Sequence, residues 1–158
     1  MADDLTEFDA WFGRIIAGME PGQRARAAFK LGQALRQANL ARIAGNVDPD
    51  GTPFEPRKHR KDRRGRLRRR GLMFKGLRRA RNWRIIADAE GVEVRPSSSG
   101  ADRVGAVSQF GEVDTVGRAR DGRTIRVRYP ERRLLGFSAE DRQLAIDIAG
   151  EMLDPDSR

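Results

Sequence analysis

The chain has 158 residues, of which 38% are hydrophobic and 35% are charged, and its formal net charge is +9. This length suits one domain with a modest core, and the low apolar content indicates long polar segments or a core completed between subunits. The absence of cysteine excludes disulfides and thiolate metal sites. No apolar run reaches the roughly eighteen residues of a membrane span, and the acidic N-terminus lacks a secretory signal pattern. We therefore expect a protein of the cytoplasm without a membrane partner.

Two helices are predicted in the first 45 residues. The first has large apolar residues spaced by three and four, namely Leu5, Phe8, Trp11, Phe12, Ile15, Ile16 and Met19. The second runs from Gln23 to Ala44, with Pro21 suited to its start. Gly45 and Asn46 predict its end, because both residues tolerate the left-handed conformation that closes a helix. Both helices need an apolar surface to pack against.

Turns are predicted between residues 47 and 56, where three prolines and one glycine forbid regular structure. The acids of this stretch do not follow the register of a calcium-binding loop, so we interpret them as turn formers. Phe54 is expected to anchor the stretch in the core.

The dominant feature is a basic run from Arg57 to Arg84, in which fifteen Arg or Lys residues face one acid, Asp62. The run is +14, so the rest of the chain is −5. Charges packed this densely repel one another and need acidic neighbours, a polyanion or open solvent. Three interpretations remain open on charge alone: a solvated loop, a nucleic-acid contact made through phosphates without reading sequence, and an arm that docks on an acidic protein surface.

Near the end of the basic run, a short helix is predicted over residues 72–80, followed by a strand pair over residues 82–88 and 92–95. A further short helix is predicted over residues 101–110, after the flexible composition of PSSSG.

The next predicted element is a hairpin, with one strand at residues 123–129 and its partner near residues 111–117. Apolar residues alternate with arginines along residues 123–129, which predicts one buried face and one solvent-exposed face. Ser138 and Asp141 have the spacing of a capping box and predict the start of the last helix. The predicted class is α+β, with N-terminal helices, a small antiparallel sheet, a C-terminal helix and a long basic loop.

The sequence contains little that indicates catalysis. The one histidine, His59, lies in the basic run without a nearby carboxylate to orient it, so a triad is excluded. Phosphate-binding and HExxH motifs are absent. The paired acids lie where turns and helix starts need them for structural reasons: Asp48 with Asp50, Glu112 with Asp114, and Glu140 with Asp141. We expect no enzyme activity, no metal and no cofactor.

Four stretches in series resemble the phage virion morphogenesis, or tail completion, family of Mu-like and related contractile-tailed phages. They are DPDGTPFEPRK at residues 48–58, GLMFKGLRRARNW at 71–83, VSQFG at 107–111 and RYPERRLLGFSAED at 128–141. Members of the family often have a histidine before the Gln-Phe-Gly, where this chain has Ser108.

The resemblance implies a non-catalytic α+β protein of the virion neck that assembles as a homo-oligomeric ring around the DNA channel. It would complete the tail, join it to the head and contact other neck and tail proteins. We expect one domain, residues 1–158, with residues 46–71 as an extended basic arm. The arm would contact protein or packaged DNA through Arg57, Lys58, Arg60, Lys61, Arg63, Arg64, Arg66, Arg68, Arg69 and Arg70. Expected assembly or core anchors are Phe54, Phe74, Trp83, Phe110, Leu134, Leu135 and Phe137. The alternative is a free, sequence-independent nucleic-acid-binding protein.

Overall fold

A computed structural model describes residues 17–57 and 72–153, together with Ala10 and Gly13. In this part of the chain there are three α-helices and two two-stranded sheets. Their order is α1 (Pro21–Gly45), β1 (Trp83–Ala87), β2 (Val92–Pro96), α2 (Ser99–Phe110), β3 (Val113–Arg118), β4 (Thr124–Arg128) and α3 (Ala139–Leu153). The predicted α+β class is confirmed, with two small sheets in place of one.

Two predicted segments lie largely outside the described residues. The first is the helix expected over residues 5–19, of which Ala10, Gly13 and Ala17 are described and are helical. The second is the basic arm, of which the described chain includes residues 46–57.

Helix α1 begins and ends where the sequence predicted. At its start, the backbone N–H of Glu20 donates to Oε1 of Gln23 at 3.1 Å, and Pro21 occupies the first helical position. At its end, Asn46 has a φ of 58°, the left-handed conformation that stops a helix.

The described chain divides into two compact units. The described residues of the first lie within Met1–Ala38, Arg84–Arg95 and Phe137–Arg158, and they include most of α1, the β1–β2 hairpin and α3. The described residues of the second lie within Asn39–Trp83 and Pro96–Gly136. Each unit is assembled from segments far apart in the sequence, and the single-domain organisation stays a prediction.

Helix α1 approaches the β1–β2 hairpin closely in the first unit. A Cβ atom at Gly32 would lie 2.6 Å from a methyl carbon of Val92 and 2.7 Å from one of Ile85, so only glycine allows this contact. The hairpin turns at Asp88, whose carboxylate accepts the backbone N–H groups of Glu90 and Gly91 at 2.9 and 3.0 Å. These contacts confirm the predicted strand pair and give α1 an apolar surface.

The predicted capping box at the start of α3 is also confirmed. The backbone N–H of Ser138 donates to Oδ2 of Asp141 at 2.9 Å, and the N–H of Asp141 donates to Oγ of Ser138 at 3.2 Å. Both residues are buried, so the box satisfies backbone groups that water does not reach.

The second unit contains most of the buried apolar side chains, and its core includes Ile43, Phe54, Phe74, Leu77, Trp83, Val107 and Leu134. The short helix predicted over residues 72–80 is wrong: consecutive turns are followed by a 3₁₀-helix, Ala80–Asn82. Phe74 explains the difference, because its φ of 54° does not fit a right-handed helix.

The β3–β4 hairpin forms as predicted, but its expected burial is wrong. Val113 lies opposite Arg128, Asp114 opposite Val127 and Arg118 opposite Thr124. All five residues of β4 are exposed. Alternation indicated that one face would be covered, and within the described chain no element covers it.

Candidate functional site at the arm root

Residues 46–57, which we call the arm root, are the described part of the predicted arm and lead from the end of α1 to its basic residues. Oδ1 of Asp48 accepts the backbone N–H groups of Asp50 at 2.9 Å and Thr52 at 2.8 Å. A β-bridge joins Val47 to Pro53. The root is therefore a closed turn, and Asp48 is a turn former as the sequence predicted.

The arm root ends in a buried aromatic pair. The rings of Phe54 and Phe74 meet edge to face with centroids 6.0 Å apart and an interplanar angle of 82°. Both side chains are more than nine-tenths buried. Because Phe54 precedes the basic residues 57–70 and Phe74 follows them, this contact brings together the chain on their two sides.

Arg78 makes a second connection between the two sides. Its Nη2 donates to Oδ1 of Asn46 at 3.1 Å, and its Nε donates to the carbonyl of Met73 at 2.8 Å. A planar guanidinium holds two acceptors in fixed directions, so Arg78 fixes the turn after the arm relative to the end of α1.

Arg132 holds the last residues before the arm. Its Nε donates to the carbonyl of Glu55 at 2.7 Å and its Nη2 to that of Pro56 at 3.5 Å, while the side chain is 6% exposed. Burial lowers the pKa of the Arg132 guanidinium, and the negative charge of Glu55 acts in the opposite direction. An arginine remains charged at neutral pH even so. The structure thus places a buried cation directly beneath the start of the arm.

Gln109 fixes the segment that carries Arg132. Its Oε1 accepts the backbone N–H groups of Leu134 at 2.8 Å and Leu135 at 3.0 Å, and its Nε2 donates to the carbonyl of Leu135 at 3.0 Å. Next to it, the buried Ser108 accepts the N–H of Arg132 on its backbone carbonyl at 2.7 Å. One helix end therefore positions residues 132–135.

The same segment reaches back to the arm root at Gly136. A Cβ atom there would lie 2.6 Å from Cγ of Pro49, so the proline ring packs against the backbone of Gly136 with no room for a side chain. With this contact, parts of all four stretches of the family resemblance meet in the second unit: residues 48–56, 73–83, 107–111 and 128–136.

The predicted site residues fall into three groups. Arg57 is described and exposed at the end of the root, whereas the following predicted arm residues lie outside the described part: Lys58, Arg60, Lys61, Arg63, Arg64, Arg66, Arg68, Arg69 and Arg70. Four of the predicted anchors are buried, namely Phe54, Phe74, Trp83 and Leu134. Leu135 is half-buried, while Phe110 and Phe137 are 68% and 65% exposed and so lie outside the core of the described chain.

Sequence reasoning missed the polar residues that hold the root, namely Arg78, Gln109 and Arg132. Each of these residues lies inside a stretch that carries the family resemblance. Their position in those stretches was the one signal in the sequence that could have identified them. Their hydrogen-bond partners are mostly backbone groups and lie as far as 77 positions away in the chain, which no local pattern reveals.

The described residues contain no group of three His, Asp or Glu side chains able to hold a metal ion. Among the helices described, none combines the length and the apolar character needed to cross a bilayer.

The fold and the site define an α+β protein built around the base of a segment whose sequence is strongly cationic. The model of the phage virion morphogenesis family matches residues 3–154, and the chain belongs to that family.

Among curated relatives, the chain is 31% identical over 148 residues to "Tail completion protein S" of Escherichia phage P2. This similarity covers 92% of the present chain and 95% of the relative. No solved structure matches the chain significantly.

Proposed function

We propose that this protein is a structural component of the phage neck, which completes the tail and joins it to the head as part of a homo-oligomeric ring around the DNA channel. Its place is the virion, after a period in the host cytoplasm. The observation that carries the proposal is the similarity to a tail completion protein over nearly the full length of both chains. The partners would be other copies, further neck and tail proteins, and packaged DNA.

The arm root supports an assembly role for the cationic segment that follows it. Arg132, Arg78 and the Phe54–Phe74 pair hold the chain before and after the arm. A cationic segment whose two flanks are fixed loses less conformational freedom on docking than a free tail, so more of its contact energy remains as affinity. Fixed flanks on a segment of this charge therefore favour its docking on an anionic surface.

The contacts of the acidic residues support a non-catalytic role. Asp48 closes the turn of the arm root, and Asp141 caps α3. Asp114 accepts Nε of Arg103 at 3.0 Å, and the same arginine keeps the pKa of that carboxyl below its ordinary value. A general base needs a pKa near the operating pH, which is the opposite direction.

The arm can be tested by replacing Arg68, Arg69 and Arg70 together with serine. We expect folded subunits whose heads and tails do not join, scored by electron microscopy of lysates and by infectious titre. The matched control replaces three exposed arginines outside the arm, Arg79, Arg81 and Arg84, and removes the same charge. Normal particles from the arm variant, or equal loss from both variants, would contradict a specific role for the arm.

The second candidate is a free nucleic-acid-binding protein, which the charge of +14 over residues 57–84 favours. It predicts that isolated subunits bind duplex DNA with a steep salt dependence, losing about a thousandfold in affinity between 50 and 200 mM salt if six or more phosphates are engaged. Filter binding at these two salt concentrations, with the oligomeric state measured alongside, separates this candidate from a subunit that engages DNA only within the neck.

A further inference from the structure

The two faces of the β3–β4 hairpin, residues 113–128, differ in charge. Residues directly opposite each other in a strand pair have their side chains on the same face. Arg126 lies opposite Thr115 and shares its face with Arg128, two positions further along β4. The acid of β3, Asp114, directly precedes Thr115 and so belongs to the other face. The arginines and the acid of the two strands are therefore separated.

A β-bulge at Val116 adds a third arginine to the same face. The register of the strands shifts after Thr115, which leaves Val116 as an extra residue on β3. Strict alternation from Thr115 would place Arg118 on the opposite face. With the extra residue, Arg118 instead lies opposite Thr124, which is two positions before Arg126. The bulge thus aligns all three arginines of the two strands.

This surface, which we call the cationic face, is exposed at all five of its polar residues, namely Arg118, Arg126, Arg128, Thr115 and Thr124. Neighbouring arginines along it are about 7–8 Å apart. Among the described residues, none of the three forms an ion pair with a carboxylate. Nη1 of Arg128 donates to the carbonyl of Gly111 at 3.3 Å, which leaves its charge uncompensated. A row of cations of this kind attracts a line of negative charge.

The composition of the cationic face favours nucleic acid over protein as its partner. A protein interface has a centre from which charged residues are depleted, whereas a protein–DNA interface is much more positively charged. The cationic face has three arginines, no acid and one apolar residue, Val113. Guanidinium groups bind phosphates in a bidentate manner, and threonine hydroxyls also bond to phosphate oxygens. A two-stranded hairpin is, in addition, an element that the major groove of duplex DNA admits.

We propose that the cationic face binds the phosphates of duplex DNA, as a contact surface separate from residues 57–70. The inference rests on the proposed function, because DNA that crosses the neck is the polyanion that each subunit would meet. Phosphate contacts carry no sequence information, so the binding is independent of sequence. The opposite face of the hairpin, with Ile125 and Val127, takes no part in this contact.

The salt dependence of DNA binding by the full chain tests the proposal. The face variant has Arg118→Gln, Arg126→Gln and Arg128→Gln. Each lost phosphate contact makes the slope of log affinity against log salt shallower by about 0.9, so three contacts change it by about 2.7. Between 50 and 200 mM salt, the wild-type chain should therefore lose about fortyfold more affinity than the face variant. Fluorescence anisotropy of a labelled short duplex of mixed sequence measures both slopes, and circular dichroism confirms that the variant is folded.

Two further variants separate a local contact from an effect of net charge. The matched control removes three exposed arginines that lie outside the hairpin, through Arg26→Gln, Arg95→Gln and Arg142→Gln. Its slope should stay within about 0.9 of the wild-type slope. A variant with lysine at the three arginine positions of the cationic face keeps the charge and should keep the slope.

Three results would overturn this contact: an unchanged slope in the face variant, an equal reduction in the control or the lysine variant, or a wild-type chain that does not bind duplex DNA. The neck function is judged separately, by locating the chain in particles and scoring joined heads and tails. A face variant that binds DNA like the wild type but fails to join heads to tails would assign the face to an acidic protein, which overturns the DNA contact and leaves the neck function standing. A shallower slope for a chain that the particles lack would support the contact and overturn the neck function.

Discussion

The arm root and the β3–β4 hairpin, residues 113–128, which we call the ribbon, belong to the same unit. They differ in how far their side chains are buried within the described chain. At the root, Phe54 is buried against Phe74, and the Arg132 guanidinium finds backbone carbonyls within the same chain. On the ribbon, Val116 and Ile125 remain 45% and 43% exposed. The difference separates a region that this chain buries by itself from one that stays exposed within the described residues. Substitutions at the root should change stability, whereas substitutions on the ribbon should change association.

The largest difference is expected from two phenylalanine truncations. Phe54→Ala removes a buried ring from the aromatic pair and should lower the free energy of unfolding by about 3–5 kcal/mol. Phe110→Ala is the matched control, because that ring is 68% exposed and its loss should stay within about 0.5 kcal/mol of zero. Urea denaturation followed by circular dichroism measures both. Equal losses would remove the distinction between a buried root and an exposed periphery.

An intermediate effect is expected at Gln109. Gln109→Leu leaves the backbone N–H groups of Leu134 and Leu135 without their acceptor, at a cost of about 1–3 kcal/mol for each buried group. Gln33→Leu, at an exposed position in α1, is the control and should be nearly neutral. Denaturant titration of both proteins checks the expectation. A neutral Gln109→Leu would mean that the amide is not what fixes residues 132–135.

The smallest effect concerns the ion pair between Arg103 of α2 and Asp114 of the ribbon. A hydrogen bond from Arg103 holds the pKa of the Asp114 carboxyl below its ordinary value of 3.8. The carboxylate is therefore favoured in the folded protein, and its contribution to stability is present above the unfolded-state pKa and lost as pH falls through the folded-state pKa. Arg103→Gln should return the pKa of Asp114 to about its ordinary value.

Titration of the Asp114 carboxyl carbon by NMR between pH 2 and 6 measures this shift directly. Asp114→Asn identifies the resonance and should remove this part of the acid dependence of the melting temperature. An identical titration of Asp114 with and without Arg103 would show that the ribbon is not tied to α2 by this pair.

Local patterns were enough to predict most elements. Helical periodicity with Pro21 and Asn46 gave the bounds of α1, and the spacing of Ser138 and Asp141 gave the start of α3. Both hairpins were also predicted, close to their observed positions. These signals act between residues a few positions apart, so a single sequence carries them in full.

Such local patterns could not predict contacts between distant residues or the exposure of the ribbon. Nothing near Arg132 shows that it bonds to Glu55, because the two meet only after the second unit has folded. Alternation in β4 does predict an apolar face, but it cannot say whether that face is covered within the chain or by another. The left-handed Phe74 likewise overrode a helix that composition favoured.

Electron cryo-microscopy of the mature particle with this subunit located tests the central claim most directly. We predict a ring of subunits where the tail meets the head, with residues 57–70 of each copy ordered against DNA phosphates or an acidic protein surface. A particle that lacks the chain, or that holds it with those residues touching nothing but solvent, would contradict this account.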